Sequence, residues 1–132
     1  MKRAWWALCA AFLLAWCAAG CDKTDPAQVA AHAAKCYYDY LLEGKYGDFV
    51  AGIHHDGDMS GAYRAQMEAN AKMFMAQLKT WRSGLVAVDI DSAAVDSEEK
   101  CADVYLVFHY GDSTQERLLV PMVEDDGLWL MR

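Results

Sequence analysis

The hydrophobic period of this sequence changes once, at Gly84, and this change constrains the fold more than any other feature. Before Gly84, apolar residues recur every three or four positions, the spacing that one face of an α-helix buries. The longest stripe of this kind runs through Tyr63, Met67, Ala71, Phe74, Leu78 and Trp81. After Gly84, apolar and polar residues alternate, which is typical of strands with one buried face. The sequence therefore predicts an α+β domain whose helices come first and lie across one face of an antiparallel sheet.

Two helices are predicted before the long stripe. The segment Asp25–Gln28 supplies a capping side chain, a Pro at the first helical position and a Gln placed as in a capping box. Gly44 is a natural end for this first helix. A shorter helix is predicted from Tyr46 to Ile53, and the third helix follows the polar segment 54–61.

The four predicted strands are joined by turn-rich segments at 96–100, 111–114 and 125–127. The side chains assigned to the inner face of the sheet are all apolar: Val86, Val88, Ile90, Val104, Leu106, Phe108, Leu118, Val120 and Met122. Because this set contains neither a carboxylate nor an imidazole, we expect a core filled with side chains and not a reactive cavity.

The outer face of the predicted sheet is less polar than expected. Tyr105, Val107 and Leu119 fall there together, with Trp129 or Met131 beside them. An apolar face on a soluble domain often marks an interface, whereas scattered exposed apolar residues are normal. Both interpretations stay open, and Tyr105, Val107 and Leu119 are candidate interface residues.

The N-terminus has the pattern of an export signal. Lys2 and Arg3 precede an uncharged apolar run from Ala4 to Ala19, which is short for a membrane-spanning helix. The segment Ala18–Cys21 resembles the lipobox of bacterial lipoproteins, which implies lipid on Cys21 after cleavage. The alternatives are an ordinary signal peptide cut near residue 19 or 20, or an uncleaved anchor. Two or three acyl chains would hold a domain durably at a membrane.

Composition limits the rest of the chain to one small domain. The chain has 132 residues, of which 55% are hydrophobic, and its formal net charge is −7. We divide it into a signal peptide at 1–20, a tether at 21–26 and a domain at 27–132. The mature part carries 10 Lys+Arg against 19 Asp+Glu, so we expect repulsion from anionic headgroups and exclude a sequence-neutral nucleic-acid binder.

Two cysteines, Cys36 and Cys101, remain in the mature domain once Cys21 carries lipid. Export places them where disulfides can form, and closing the loop between them would contribute about 4 kcal/mol in the chain-entropy model. The alternative is two separate thiols, which the strand alternation slightly favours.

Short motifs at both ends of the domain resemble the small NTF2-like lipoproteins of bacteria, of the DUF4878-like type. The first helix ends in Leu41–Tyr46, and the last hairpin contains Asp126–Trp129. This resemblance implies a cone of three N-terminal helices packed on a curved antiparallel sheet of about four strands. It also implies the homodimers that such domains commonly form through the outer sheet face.

Some NTF2-like domains are isomerases, dehydratases or hydrolases that use the cavity of the cone. The resemblance would place Tyr37, Tyr38, His54 or His109 in such a cavity, and a small enzyme of this kind is the alternative hypothesis. The apolar inner face argues against it, and no nucleophile triad or nucleotide loop is recognisable.

The densest polar cluster is the loop formed by His54, His55, Asp56, Asp58 and Ser60. Imidazoles and carboxylates at this density could hold zinc, and the Asp spacing partly resembles a calcium loop that lacks its final Glu. The simpler interpretation is an interhelical loop in which Ser60 or Asp58 caps the third helix.

The sequence thus favours an exported, membrane-anchored and non-catalytic domain of the bacterial cell envelope, on the inner or outer membrane. We expect it to need no cofactor and to bind an unidentified protein or small molecule, but not nucleic acid.

Overall fold

The computed structural model describes residues 25–132, so the predicted signal peptide and Cys21 lie outside the described residues. The predicted order of helices and strands is confirmed. The elements are α1 (Pro26–Leu42), α2 (Tyr46–Ala51), α3 (Gly61–Arg82), β1 (Leu85–Asp96), β2 (Cys101–Tyr110), β3 (Gln115–Asp125) and β4 (Leu128–Met131). Between residues 25 and 132, none of the helices combines the length and the hydropathy needed to span a bilayer.

Both long helices begin at caps that the sequence predicts. The Asp25 side chain accepts a hydrogen bond from the Ala27 N–H at 3.1 Å at the start of α1. Ser60 Oγ accepts one from the Tyr63 N–H, also at 3.1 Å, at the start of α3. Each cap satisfies a backbone donor that the helix itself leaves unpaired and contributes about 1 kcal/mol.

The strands form one antiparallel sheet in the order β1-β2-β3-β4, as consecutive hairpins dictate. In the last hairpin, Asp126 and Gly127 both have positive φ, at 49° and 78°, which a tight two-residue turn requires. The segment after α2 is joined to β4 by backbone hydrogen bonds of 2.7 Å, from the His54 N–H to the Met131 oxygen and from the Met131 N–H to the Gly52 oxygen.

The core lies between α1 and the inner face of the sheet. α1 contacts all four strands, and it does so through small side chains, Ala30, Ala31 and Ala34, that are almost completely buried. Their size allows the helix to come close to Leu106 and Phe108, which are also fully buried. The inner face is therefore occupied by closely packed apolar side chains.

The prediction that Val86 lies on the inner face of β1 is wrong. Val86 is 63% exposed, and its neighbour Leu85 is buried instead. The pairing of β1 with β2 shifts between Leu85 and Ala87, as it does at a β-bulge, where two residues oppose one. Because a prediction from strict alternation does not allow for this extra residue, it puts Val86 on the wrong face.

The predicted phase of β4 is also wrong. Trp129 and Met131 are buried, while Leu128 and Leu130 take the outer positions. The register with β3 decides this, because Met131 lies opposite the buried Met122 and side chains of directly opposed residues share a face. A strand of four residues has too few alternations to fix its phase by itself.

The apolar stripe of α3 is only partly buried. Ala71 and Leu78 are buried, whereas Tyr63, Phe74 and Trp81 are exposed, Trp81 by 71%. α3 makes its main contacts with α2 and the first strand. A narrow line of contact buries a narrow stripe, so the periodicity predicted the helix correctly but overestimated its buried face.

Tyr110 combines burial with a charged hydrogen-bond acceptor. Its hydroxyl donates to Glu116 Oε2 at 2.8 Å, and the Arg82 guanidinium carbon lies 4.6 Å from the ring centroid. Burial first, and then the hydrogen bond and charge of Glu116, raise the pKa of Tyr110 from 10.0 to about 12.

We expect the free energy of unfolding to decrease between pH 10 and pH 12 partly because of Tyr110. The unfolded chain releases this proton at the lower pH, so the contribution is complete below pH 10 and lost as the pH rises through 12. In Tyr110→Phe, the free energy of unfolding should fall less steeply with pH across this interval, by the slope that corresponds to up to about one proton. Urea titrations at several pH values measure this slope. Tyr63→Phe, a change to an exposed ring, should keep the wild-type slope; identical slopes for wild type and Tyr110→Phe would contradict the prediction.

Candidate interaction surface

The three candidate interface residues come together on the outer face of the sheet. Tyr105 on β2 lies directly opposite Leu119 on β3, and Val107 is the next outward residue along β2. Their neighbours Leu106 and Phe108 point to the core, because successive side chains of a strand alternate. Leu119 is 49% exposed. We call the group of Tyr105, Val107 and Leu119 the outer patch.

Arg117 ties the outer patch to the edge strand. Its guanidinium carbon lies 3.8 Å from the centroid of the Tyr105 ring, a stacked cation–π contact. Its Nε donates to Asp91 Oδ2 at 2.7 Å. The hydrogen bond from Arg117 holds the pKa of Asp91 below its ordinary value. One side chain therefore connects β1, β2 and β3 across the outer face.

A second polar pair lies beside the first on the same face. His109 Nε2 is 2.8 Å from Asp89 Oδ2, and His109 follows Val107 along the outward side of β2. With Arg117 and Asp91, this pair forms a polar rim along one side of the outer patch. An apolar centre with a polar rim is the usual composition of a protein-binding surface.

The tyrosines proposed for a catalytic cavity act in packing. Tyr38 makes edge-to-face contacts with Phe49 and Phe108, at centroid distances of 5.4 and 5.1 Å. The Tyr37 hydroxyl donates to the Trp129 carbonyl at 2.7 Å. Burial raises the pKa of both phenols, which favours their neutral forms.

The four residues considered for catalysis do not meet at one point. His109 lies on the outer face, whereas Tyr38 lies in the core beneath the inner face. His54 is on the loop after α2, where its Nε2 is 3.6 Å from Asp125 Oδ2.

The polar loop after α2 is exposed at its centre. His55, Asp56 and Asp58 point to solvent, and Ser60 is used as the cap of α3. Over residues 25–132, no three side chains of the His, Cys, Asp and Glu types come close enough together to hold a metal ion.

Cys36 and Cys101 are separate free thiols among the described residues, so the disulfide considered from the sequence is not formed. Cys36 lies on the exposed side of α1, which covers the inner face of the sheet. Cys101 begins β2 and faces outward, since its neighbour Ala102 is buried in the core. The sheet itself therefore stands between the two side chains.

Sequence reasoning missed Arg117 and Asp91. A weak signal exists for Arg117, because it lies two residues before Leu119 on the same predicted strand and so shares its face. Asp91 falls at a register shift between Ile90 and Ser92, and its approach to Arg117 follows from pairing that the sequence does not reveal.

Comparison with solved structures supports the fold. An NTF2-like protein of Campylobacter jejuni, described as a candidate transpeptidase, matches with a TM-score of 0.58 and 15% identity, covering 74% of this chain and 92% of that one. The fold is NTF2-like. A SEC-C motif protein of Rhodopseudomonas palustris matches this NTF2-like domain with a TM-score of 0.52 and 9% identity, over 75% of this chain and 71% of that one. No family model and no curated protein sequence matches the chain.

At these identities the likeness shows the fold and carries no activity across. The outer patch, defined by its own contacts, is therefore the candidate functional site of the NTF2-like domain.

Proposed function

We propose that this chain is an exported bacterial lipoprotein, held at a membrane of the cell envelope by lipid on Cys21, whose NTF2-like domain is non-catalytic and binds another protein through the outer patch. Support for the anchor comes from the sequence, in which Lys2 and Arg3, the apolar run and the small residues before Cys21 follow one another in the order of a lipoprotein signal.

The observation that carries the binding role is the outer patch itself. Tyr105 and Arg117 stack on one another, and Asp91 fixes the Arg117 side chain from the neighbouring strand. Tyr and Arg are enriched among the residues that dominate binding energy at interfaces. Because the stack is already ordered, these side chains of the domain lose less entropy when a partner binds there.

The packing of the inner face supports a non-catalytic role. Within residues 25–132, the side chains buried in the core are aliphatic, thioether or aromatic, and none is a carboxylate, an imidazole or an amine. General acid–base chemistry needs a titratable group within hydrogen-bond reach of a bound substrate. Among the buried side chains of residues 25–132, Tyr110 is the one with such a group, and its hydroxyl is already bonded to Glu116 and has a raised pKa.

A second copy of the chain is the first partner to test. In a twofold-symmetric pair, both subunits use the same patch, so each outer-patch position contributes to the interface once from each subunit. Membrane anchoring confines the copies to a surface and raises their effective concentration, which favours even a weak contact.

Leu119→Glu should disrupt binding at the outer patch while leaving the domain folded. A carboxylate at this position would be desolvated at the centre of the interface, and we expect at least about a tenfold loss of association. Sedimentation equilibrium measures self-association, and capture from the native envelope measures binding of other proteins. Leu128→Glu is the control, because Leu128 is exposed at the far end of β3–β4. Equal association of wild type and Leu119→Glu in both experiments would exclude the outer patch.

A further inference from the structure

A groove of about 550 Å³ opens on the helix side of the domain, away from the outer patch. It is formed by the end of α1, the start of α2, the second half of α3 and the start of β1. Its volume falls within the range of roughly 300–1,000 Å³ that is usual for small-molecule sites. The groove borders the filled core between α1 and the sheet, and Leu85 on β1 belongs to both.

The floor of the groove is apolar. It consists of Leu41, Leu42, Met75 and Leu85. Leu41 and Leu85 are buried, and Leu85 also belongs to the core, while Leu42 and Met75 are partly buried. Met is a flexible side chain that adapts to the shape of an apolar ligand. A hydrocarbon chain placed on this floor would remove apolar surface from water on both sides.

Two lysines border this floor. Lys72 and Lys79 are seven residues apart on α3, which is two helical turns and puts them on the same side of the helix. Among the ion pairs of residues 25–132, neither ammonium group has a carboxylate partner. Glu43 also lines the groove, but its carboxylate is paired with Lys45 at 2.9 Å.

The charge of α3 contrasts with that of the domain around it. α3 contains four Lys and Arg residues and one Glu, whereas residues 25–132 contain 9 Lys+Arg and 18 Asp+Glu in total. Two of these four cations, Lys72 and Lys79, line the groove, so in an otherwise acidic domain they favour the binding of an anion there.

We propose that this groove binds a medium-chain fatty acid, with the acyl chain on the apolar floor and the carboxylate held by the ammonium groups of Lys72 and Lys79. The two lysines require an anionic head group in the ligand, and the floor requires an apolar body. The volume fits a single chain and not a diacyl lipid. This site does not depend on the outer patch or on the anchor at Cys21.

The test is photo-cross-linking of the full chain in lipid nanodiscs, with a dodecanoate probe that carries a diazirine and an alkyne. We expect the cross-linked peptides to come from the groove segments around Leu41 and Met75, and unlabelled dodecanoate to compete. A probe with the same chain and a neutral alcohol head should label these segments at least about tenfold less, the effect of losing one charge-assisted hydrogen bond. An anionic lysophospholipid that competed better than dodecanoate would contradict the assignment to a fatty acid.

Matched variants separate the head group from the chain. The double variant Lys72→Gln with Lys79→Gln should reduce labelling about tenfold, while Lys100→Gln, which removes one positive charge in the β1–β2 turn, should not. Ala76→Phe fills the groove from the exposed side of α3 and should abolish labelling, whereas Ala69→Phe on the same helix lies outside the groove and should not.

Three results would overturn the proposal: labelling spread over the whole surface, equal labelling by the neutral probe, or undiminished labelling of both the double-lysine variant and Ala76→Phe. Because lipid partition of the dodecanoate probe is the same for all variants, the comparisons between variants do not depend on the membrane background.

Discussion

Replacement of Phe108 by Ala should lower the free energy of unfolding by about 3–5 kcal/mol. Phe108 is 1% exposed, and it receives the rings of Tyr38 and Tyr110 at centroid distances of 5.1 and 6.4 Å. Ala removes the buried ring and leaves a cavity between α1 and the sheet that these two tyrosines cannot fill without losing their own contacts. Urea unfolding followed by circular dichroism measures the change.

Trp81→Ala is the matched control for this prediction. It also removes an aromatic ring, but Trp81 is largely exposed on α3, so the change should stay within about 0.5 kcal/mol. If Phe108→Ala cost no more than Trp81→Ala, the layer between α1 and β2 would not be the main core of the domain.

Gly52→Ala should destabilise the domain by about 1–3 kcal/mol through steric overlap. A Cβ atom on Gly52 would overlap the ring of Tyr37, which lies directly against the backbone there. The ring cannot move away freely, because its hydroxyl is bonded to the Trp129 carbonyl at 2.7 Å. Gly52 itself accepts the Met131 N–H, so any shift also strains the connection to β4.

Gly61→Ala gives the comparison that isolates this overlap. Gly61 lies at the start of α3, and no atom lies within 4 Å of a Cβ built on it. Because Ala lowers the backbone entropy of the unfolded chain, this variant should be neutral or slightly more stable. Thermal unfolding of both variants should therefore give shifts of opposite sign or very different size. If Gly52→Ala unfolded at the same temperature as the wild type, a Cβ atom at this position would not overlap the Tyr37 ring.

The local features of the fold were predictable because each depends on a few adjacent residues. The caps at Asp25 and Ser60 and the turn at Asp126–Gly127 follow from side-chain chemistry and backbone preference. Features that depend on distant pairing were not predictable. The bulge that exposes Val86 and the phase of β4 are both set by the neighbouring strand.

The candidate site divides in the same way. Tyr105, Val107 and Leu119 could be placed on one face by alternation alone, since a strand turns successive side chains to opposite sides. The bridge from Arg117 to Asp91 could not, because it crosses from β3 to β1 over Tyr105 and requires the register of three strands. The groove beside Lys72 and Lys79 was missed because it depends on how the helix ends meet.

The covalent state of Cys21 in protein isolated from its native envelope tests most directly whether this chain is a lipid-anchored, exported domain. We expect intact-mass and peptide mass spectrometry to show a mature chain that begins at Cys21 and carries acyl chains, and Cys21→Ser to abolish both the mass increase and membrane retention. A mature chain beginning at an unmodified Cys21, or one that retains residues 1–20, would contradict the proposal.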